Sequence, residues 1–292
     1  MKALFTLFTC LMVGHAVAQP GMLEEANDKY RAGDLAAARD LLDRAIRDPQ
    51  LAALPEAWVL RGFVYKDLFK AEGSSQAASL LRDEAMASLL TAFQEDPDGQ
   101  YKTSTLPAYD YLSRTIYNDA VNALGNMAPD SATALYGKYK EAVLRLSPDS
   151  SFTARDIDFG NALGTVQVKL FNQDRSDLRY YDQAVRSYLR VLELDPANYG
   201  ANYNLATLYY NRGVHNIQQI DADNDIPSLQ QVQAASREFF SLALPFMEKA
   251  HLMDPRRKET LIGLEGIYYS LQDEEKSSHY RHLYEELKPD ER

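Results

Sequence analysis

The sequence predicts an all-α fold, an α-solenoid of about six helix hairpins. Three observations carry this. Prolines stand at Pro49, Pro97, Pro148, Pro196, Pro255 and Pro289, each closing an apolar-periodic stretch. Proline has no N–H to donate and its ring blocks the preceding turn, so each one is a helix stop. Three of the stops share one upstream pattern: Ala85, Leu89, Ala92 to Pro97; Ala184, Tyr188, Val191 to Pro196; Ala243, Met247, Ala250 to Pro255, at offsets 0, 4, 7 and 12 each time. The chain also has no apolar/polar alternation longer than a few residues, which removes the strand signal.

The elements follow in order. Lys2, the apolar run Ala3 to Gly14 and the small-x-small triplet Ala16-Val17-Ala18 read as a secretory signal over 1–18, leaving Gln19 as the mature first residue. The run is too short to span a bilayer, and no other stretch approaches that length, so no integral span is expected after cleavage. Export, with a periplasmic location, is the expectation. Lipid anchoring through Cys10 is the alternative, disfavoured by the bulky Phe8 and Thr9 before it. Cys10 is the only cysteine, so cleavage leaves no thiol for a disulfide.

Residues 19–292 then divide into hairpins at about 21–49, 54–97, 104–148, 151–196, 198–255 and 257–289. The first carries Gly33-Asp34-Leu35 followed by Ala38, Leu42 and Ala45. The second carries Trp58, Gly62 and Tyr65 ahead of Ala85. The third, and the first helix of the fourth (about 151–173), are irregular. The fifth has Leu205, Ala206 and Tyr209, and the sixth has Leu261, Leu264, Tyr268 and Tyr269. Lys276, His279, Arg281, Glu285 and Glu286 interrupt the last apolar pattern, which suits a capping helix with one face in water.

Successive prolines are 48, 51, 48, 59 and 34 residues apart. The 34-residue step, the Trp58/Gly62/Tyr65 set and the Ala-x-x-x-large-x-x-small spacing together resemble the tetratricopeptide repeat, in the form found in exported bacterial proteins. The similarity is clear over 22–97 and 178–289 and poor over 98–177. It implies stacked antiparallel helix pairs in a right-handed superhelix, a concave groove lined by the first helices, binding of a protein or peptide segment there, and no enzymatic activity. Tyr209 to Ala243 spans 34 residues, 25 more than the standard repeat, so the fifth unit carries its extra residues between its two helices. Gly213 to Ile220 weakly extends the first helix, Asp221 to Pro227 reads as a turn, and Ser228 as the cap of a second helix from Leu229.

Candidate chemistry is sparse. The net charge of −11 becomes −12 over residues 19–292, a field that disfavours nucleic acid and anionic lipid. Asp221, Asp223 and Asp225 have calcium-loop spacing, but Ile226 and Val232 stand where such a loop needs Gly and Glu. His279 and His282 could share a helix face without a third ligand. The expectation is therefore no catalytic residue, no metal and no cofactor. The best functional signal is aromatic and amide density on the first helix of the fifth unit, where Tyr203, Thr207, Tyr210 and Asn211 should line the groove, with Asn204 beside Tyr203. Tyrosine offers large contact area at low entropic cost. In the resembled family an Asn at this place can bond a bound main chain. The basic clamp used there for chaperone tails is not expected, because Glu259 and Gly263 occupy the matching positions of the next unit. A carbohydrate- or small-ligand-binding solenoid, or an accessory subunit of an envelope enzyme complex, is the competing reading.

Overall fold

A computed structural model describes residues 21–73, 75–220 and 225–287. The signal-like segment with Cys10, the aspartates at 221 and 223, and Pro289 lie outside these residues. Among the described residues every regular element is a helix: α1 Gly21–Arg31, α2 Leu35–Ala45, α3 Pro49–Ala52, α4 Pro55–Glu72, α5 Gln76–Gln94, α6 Lys102–Gly125, α7 Pro129–Leu146, α8 Thr153–Gln173, α9 Leu178–Leu194, α10 Tyr199–Gln218, α11 Ile226–Met253, α12 Lys258–Ser270 and α13 Glu274–Glu286. The described residues form two compact units, one of those up to 118 with 141–148, the other of 119–140 with those from 149 on, so α6 and α7 are each divided between them.

Short polar side chains start the helices. Asp34, Ser75, Asn198, Asp225 and Asp273 each accept a hydrogen bond from the backbone N–H three residues on, which satisfies a donor the first turn leaves free. The cap of α11 is therefore Asp225; Ser228, expected to cap, instead donates its backbone N–H to the Asp225 carboxylate at 2.9 Å. The Asp-Pro pairs end helices and also shape the turns that follow. Asp96 accepts from the backbone N–H groups of Gln100 and Tyr101, and Asp195 from that of Ala197. Pro49 departs from the expected pattern. It opens the single turn α3 with Asp48 as its cap, because the first helical position tolerates a residue without an N–H.

In the first unit α1 packs on α2, α2 on α4, and α4 on α5. Ala26, Ala38, Leu42 and Val64 are fully buried at that seam. Gly62 permits the α4–α5 approach, since a Cβ there would lie 2.6 Å from Leu89. Arg61 is the buried polar centre. It donates to Asp43 at 2.8 Å, to Glu84 at 2.8 Å and to Ser88 at 2.6 Å, and its guanidinium stands over the Tyr65 ring. A buried cation needs such a full set of acceptors to offset its lost hydration.

In the second unit each second helix packs on the first helix of the next pair, α9 on α10 and α11 on α12, while α8–α9, α10–α11 and α12–α13 pair internally. The repeated small residues lie at these seams: Ala184, Ala206, Ala243 and Ala250 are fully buried. Tyr188 is 1 % exposed and lies against Gly164, whose Cβ would meet its ring at 2.7 Å. The irregular α8 thus uses the same contact as α4, with glycine as the small partner. This glycine-to-large-residue fit recurs in both units, at Gly62 against Leu89 and at Gly164 against Tyr188. The long step of the fifth unit is carried by two lengthened helices, 20 residues in α10 and 28 in α11 against 13 each in α12 and α13.

Candidate functional site

The first helices α8, α10 and α12 lie in sequence across the second unit, with α10 touching both others. A cleft opens on either side of α10. The α10–α12 groove is lined by Tyr203, Thr207, Tyr210 and Asn211 on one wall and by Glu259, Ile262, Gly263, Gly266 and Tyr269 on the other, with Arg281 at its edge. Ile262 is 49 % and Tyr269 69 % exposed. Arg281 donates to Glu265 at 2.7 Å, which neutralises that edge. Tyr199 and Tyr203 stack at 5.9 Å, and the Tyr199 hydroxyl reaches Thr260 at 2.7 Å across to α12.

The α8–α10 pocket is smaller, about 140 Å³. Val168, Phe171 and Leu208 give it an apolar floor. Thr165, Tyr188, Asn204, Thr207 and Asn211 supply hydroxyls and amides, and Lys169, Asn172, Arg175 and His215 form its rim. Tyr188 has its hydroxyl 3.3 Å from that of Thr165 and hydrogen-bonded to Asn204. Burial pushes the Tyr188 phenol up, with the Thr165 and Asn204 bonds opposing. His215 is held below the usual imidazole range by burial, then by the Arg175 and Arg212 cations.

The five residues singled out from sequence therefore fall in two places. Tyr203 and Tyr210 line the α10–α12 groove, Asn204 lines the α8–α10 pocket, and Thr207 and Asn211 border both. Tyr203 and Tyr210 both pack against the core cluster that includes Ala206, Ala243 and Met247, and the Tyr210 ring is 5.6 Å from that of Phe240. A Cβ on Gly266 would lie 2.8 Å from the Tyr210 hydroxyl. Asn204 is hydrogen-bonded to Tyr188.

Sequence reading missed Ile262 and Tyr269, which share the apolar spacing of the core positions Leu261 and Tyr268 beside them. It also missed Lys169, Arg175 and His215, which lie in or beyond regions where the repeat pattern is weak. Among the described residues no three His, Cys, Asp or Glu side chains group closely enough to hold a metal ion. His282 instead faces Glu286 at 3.2 Å. No helix is long and apolar enough to cross a membrane among these residues.

No protein-family model matches the chain. No curated protein matches it either. Among solved structures, MamA AMB-1 is similar at 15 % identity and a TM-score of 0.34, over 91 % of this chain and 89 % of that one. PilF of Pseudomonas aeruginosa is similar at 13 % identity and a TM-score of 0.34, over 92 % of this chain and 91 % of that one.

Proposed function

We propose that the protein is an exported, non-catalytic scaffold that binds an extended or helical segment of a protein partner across the first helices of its second unit. The observation that carries this is the α10–α12 groove, where Ile262 and Tyr269 leave large apolar surface in water beside Tyr203 and Tyr210. Exposed aromatic and aliphatic side chains bordered by paired charges suit a partner surface, because covering them gains hydrophobic free energy with little polar desolvation.

The shape of the clefts favours a segment over a free small ligand. The α10–α12 groove, about 460 Å³, is open to solvent. The α8–α10 pocket, at about 140 Å³, is well below the roughly 300 Å³ that holds a whole small molecule. Export rests on the Lys2, Ala3–Gly14 and Ala16-Val17-Ala18 pattern, and the expected compartment is the periplasm.

A photo-reactive side chain in place of Ile262 tests the reading, with one in place of Leu252, exposed on α11, as reference. A discrete partner segment crosslinked from Ile262 and not from Leu252 is expected. Equal crosslinking from both positions would move the binding surface off the groove.

A further inference from the structure

The rim of the α8–α10 pocket has an unusual charge distribution for this chain. Lys169, Arg175 and His215 surround it, and none of the described residues lining it is an Asp or Glu. The protein as a whole carries −11, so a carboxylate-free pocket with two cations and an imidazole on its rim runs against the overall field. Three cations of the neighbouring clefts are paired with carboxylates. Lys140 reaches Asp156 at 2.9 Å, Arg190 reaches Glu193 at 2.5 Å, and Arg281 reaches Glu265 at 2.7 Å. Among the described residues Lys169 and Arg175 pair with no carboxylate. Arg175 makes only long contacts, 3.4 Å each, to the Asn172 amide oxygen and the His215 ring.

We infer that this pocket receives an acidic side chain, Asp or Glu, of the segment that occupies the adjoining α10–α12 groove. The inference rests on the groove reading given above. Thr207 and Asn211 border both clefts, so one segment crossing α10 can place an apolar anchor against Ile262 and Tyr269 and a carboxylate beside Lys169 and Arg175. The pocket volume of about 140 Å³ is that of a side chain. Guanidinium and ammonium groups supply charge-assisted donors to a carboxylate, and Asn211 adds an amide N–H. An apolar floor under a charged rim strengthens such a contact by excluding water from one side.

Two pools of short random peptides test this, identical except that one fixes Glu and the other Gln at each scanned position. The immobilised full chain should retain the Glu pool about 10-fold over the Gln pool at one or more positions, the ratio expected of a hydrogen-bonded charge. The double variant Lys169→Gln, Arg175→Gln should retain both pools alike. Both positions are exposed, and an unchanged melting temperature confirms that the variant folds. Equal retention by the unsubstituted protein, still lost on Ile262→Ala with Tyr269→Ala, overturns the acidic-pocket inference and leaves the groove reading standing. Preference for Glu that persists in the double variant also overturns it. Retention of neither pool overturns both.

Discussion

Gly164 on α8 and Tyr188 on α9 meet with no room for a methyl group: a Cβ at Gly164 would lie 2.7 Å from two ring carbons of a tyrosine that is 1 % exposed. Gly164→Ala gains up to about 1 kcal/mol of helix propensity. It also forces a fully packed ring aside, at about 1–3 kcal/mol. The second effect should win, because the buried ring has nowhere to swing. Gly137, in α7, has no such neighbour, so Gly137→Ala should leave stability unchanged or raise it by about 0.5–1 kcal/mol. Urea denaturation of the two variants checks the pair.

The same contact explains what was legible beforehand. Offsets among Ala184, Tyr188 and Val191 are visible because second helices keep a small residue one turn before a large one. The partner Gly164 carried no such signal, since α8 otherwise departs from the repeat. Proline gave helix ends well at Pro97, Pro196 and Pro255. It misled at Pro49, where the same residue begins a turn. The groove was legible only in part. Tyr203 and Asn211 follow from helix phase, but phase cannot separate Tyr210, which packs, from Tyr269, which does not. The cationic rim needs α8, a loop and α10 to meet, which no local pattern records.

Tyr65 donates its hydroxyl to Asp43 at 2.8 Å. Burial, then the bond to Asp43, pushes its phenol up to about 12, with the Arg61 cation opposing. The folded state thus prefers the protonated phenol more than the unfolded chain does, whose tyrosines ionise near pH 10. This stabilisation is complete below about pH 10 and is lost as pH rises toward about 12. Unfolding free energies measured across that window should fall less steeply for Tyr65→Phe than for the unsubstituted protein. Parallel slopes would mean that Tyr65 is not coupled to folding in this way.

Tyr210 and Tyr269 line one groove with different burial, so their substitutions should separate. Tyr210→Ala removes a ring packed against the core cluster of Ala206 and Met247 and beside Phe240 and should cost about 3 kcal/mol of stability, as large aromatic truncations do. Tyr269→Ala, at a site 69 % exposed, should cost under about 0.5 kcal/mol. Thermal unfolding followed by circular dichroism distinguishes them, and similar losses would place Tyr269 in the core.

The leader pattern predicts a mature chain that begins at Gln19 and carries no lipid. Intact-mass spectrometry of the protein recovered from the periplasmic fraction decides this. A mass that includes Met1, or an acylated Cys10, would remove the export assignment or replace it with a membrane anchor.

The central claim is that the α10–α12 groove is the partner-binding surface. Its most direct test is the affinity of one peptide, selected from a random pool on the full chain, for the unsubstituted protein, for Ile262→Ala with Tyr269→Ala, and for Leu252→Ala. Leu252, on α11, is 78 % exposed and outside the groove. Loss of central apolar anchors should weaken binding by about 2 kcal/mol or more, roughly 30-fold, in the groove variant, with Leu252→Ala unchanged. Equal affinity for all three proteins would contradict the account.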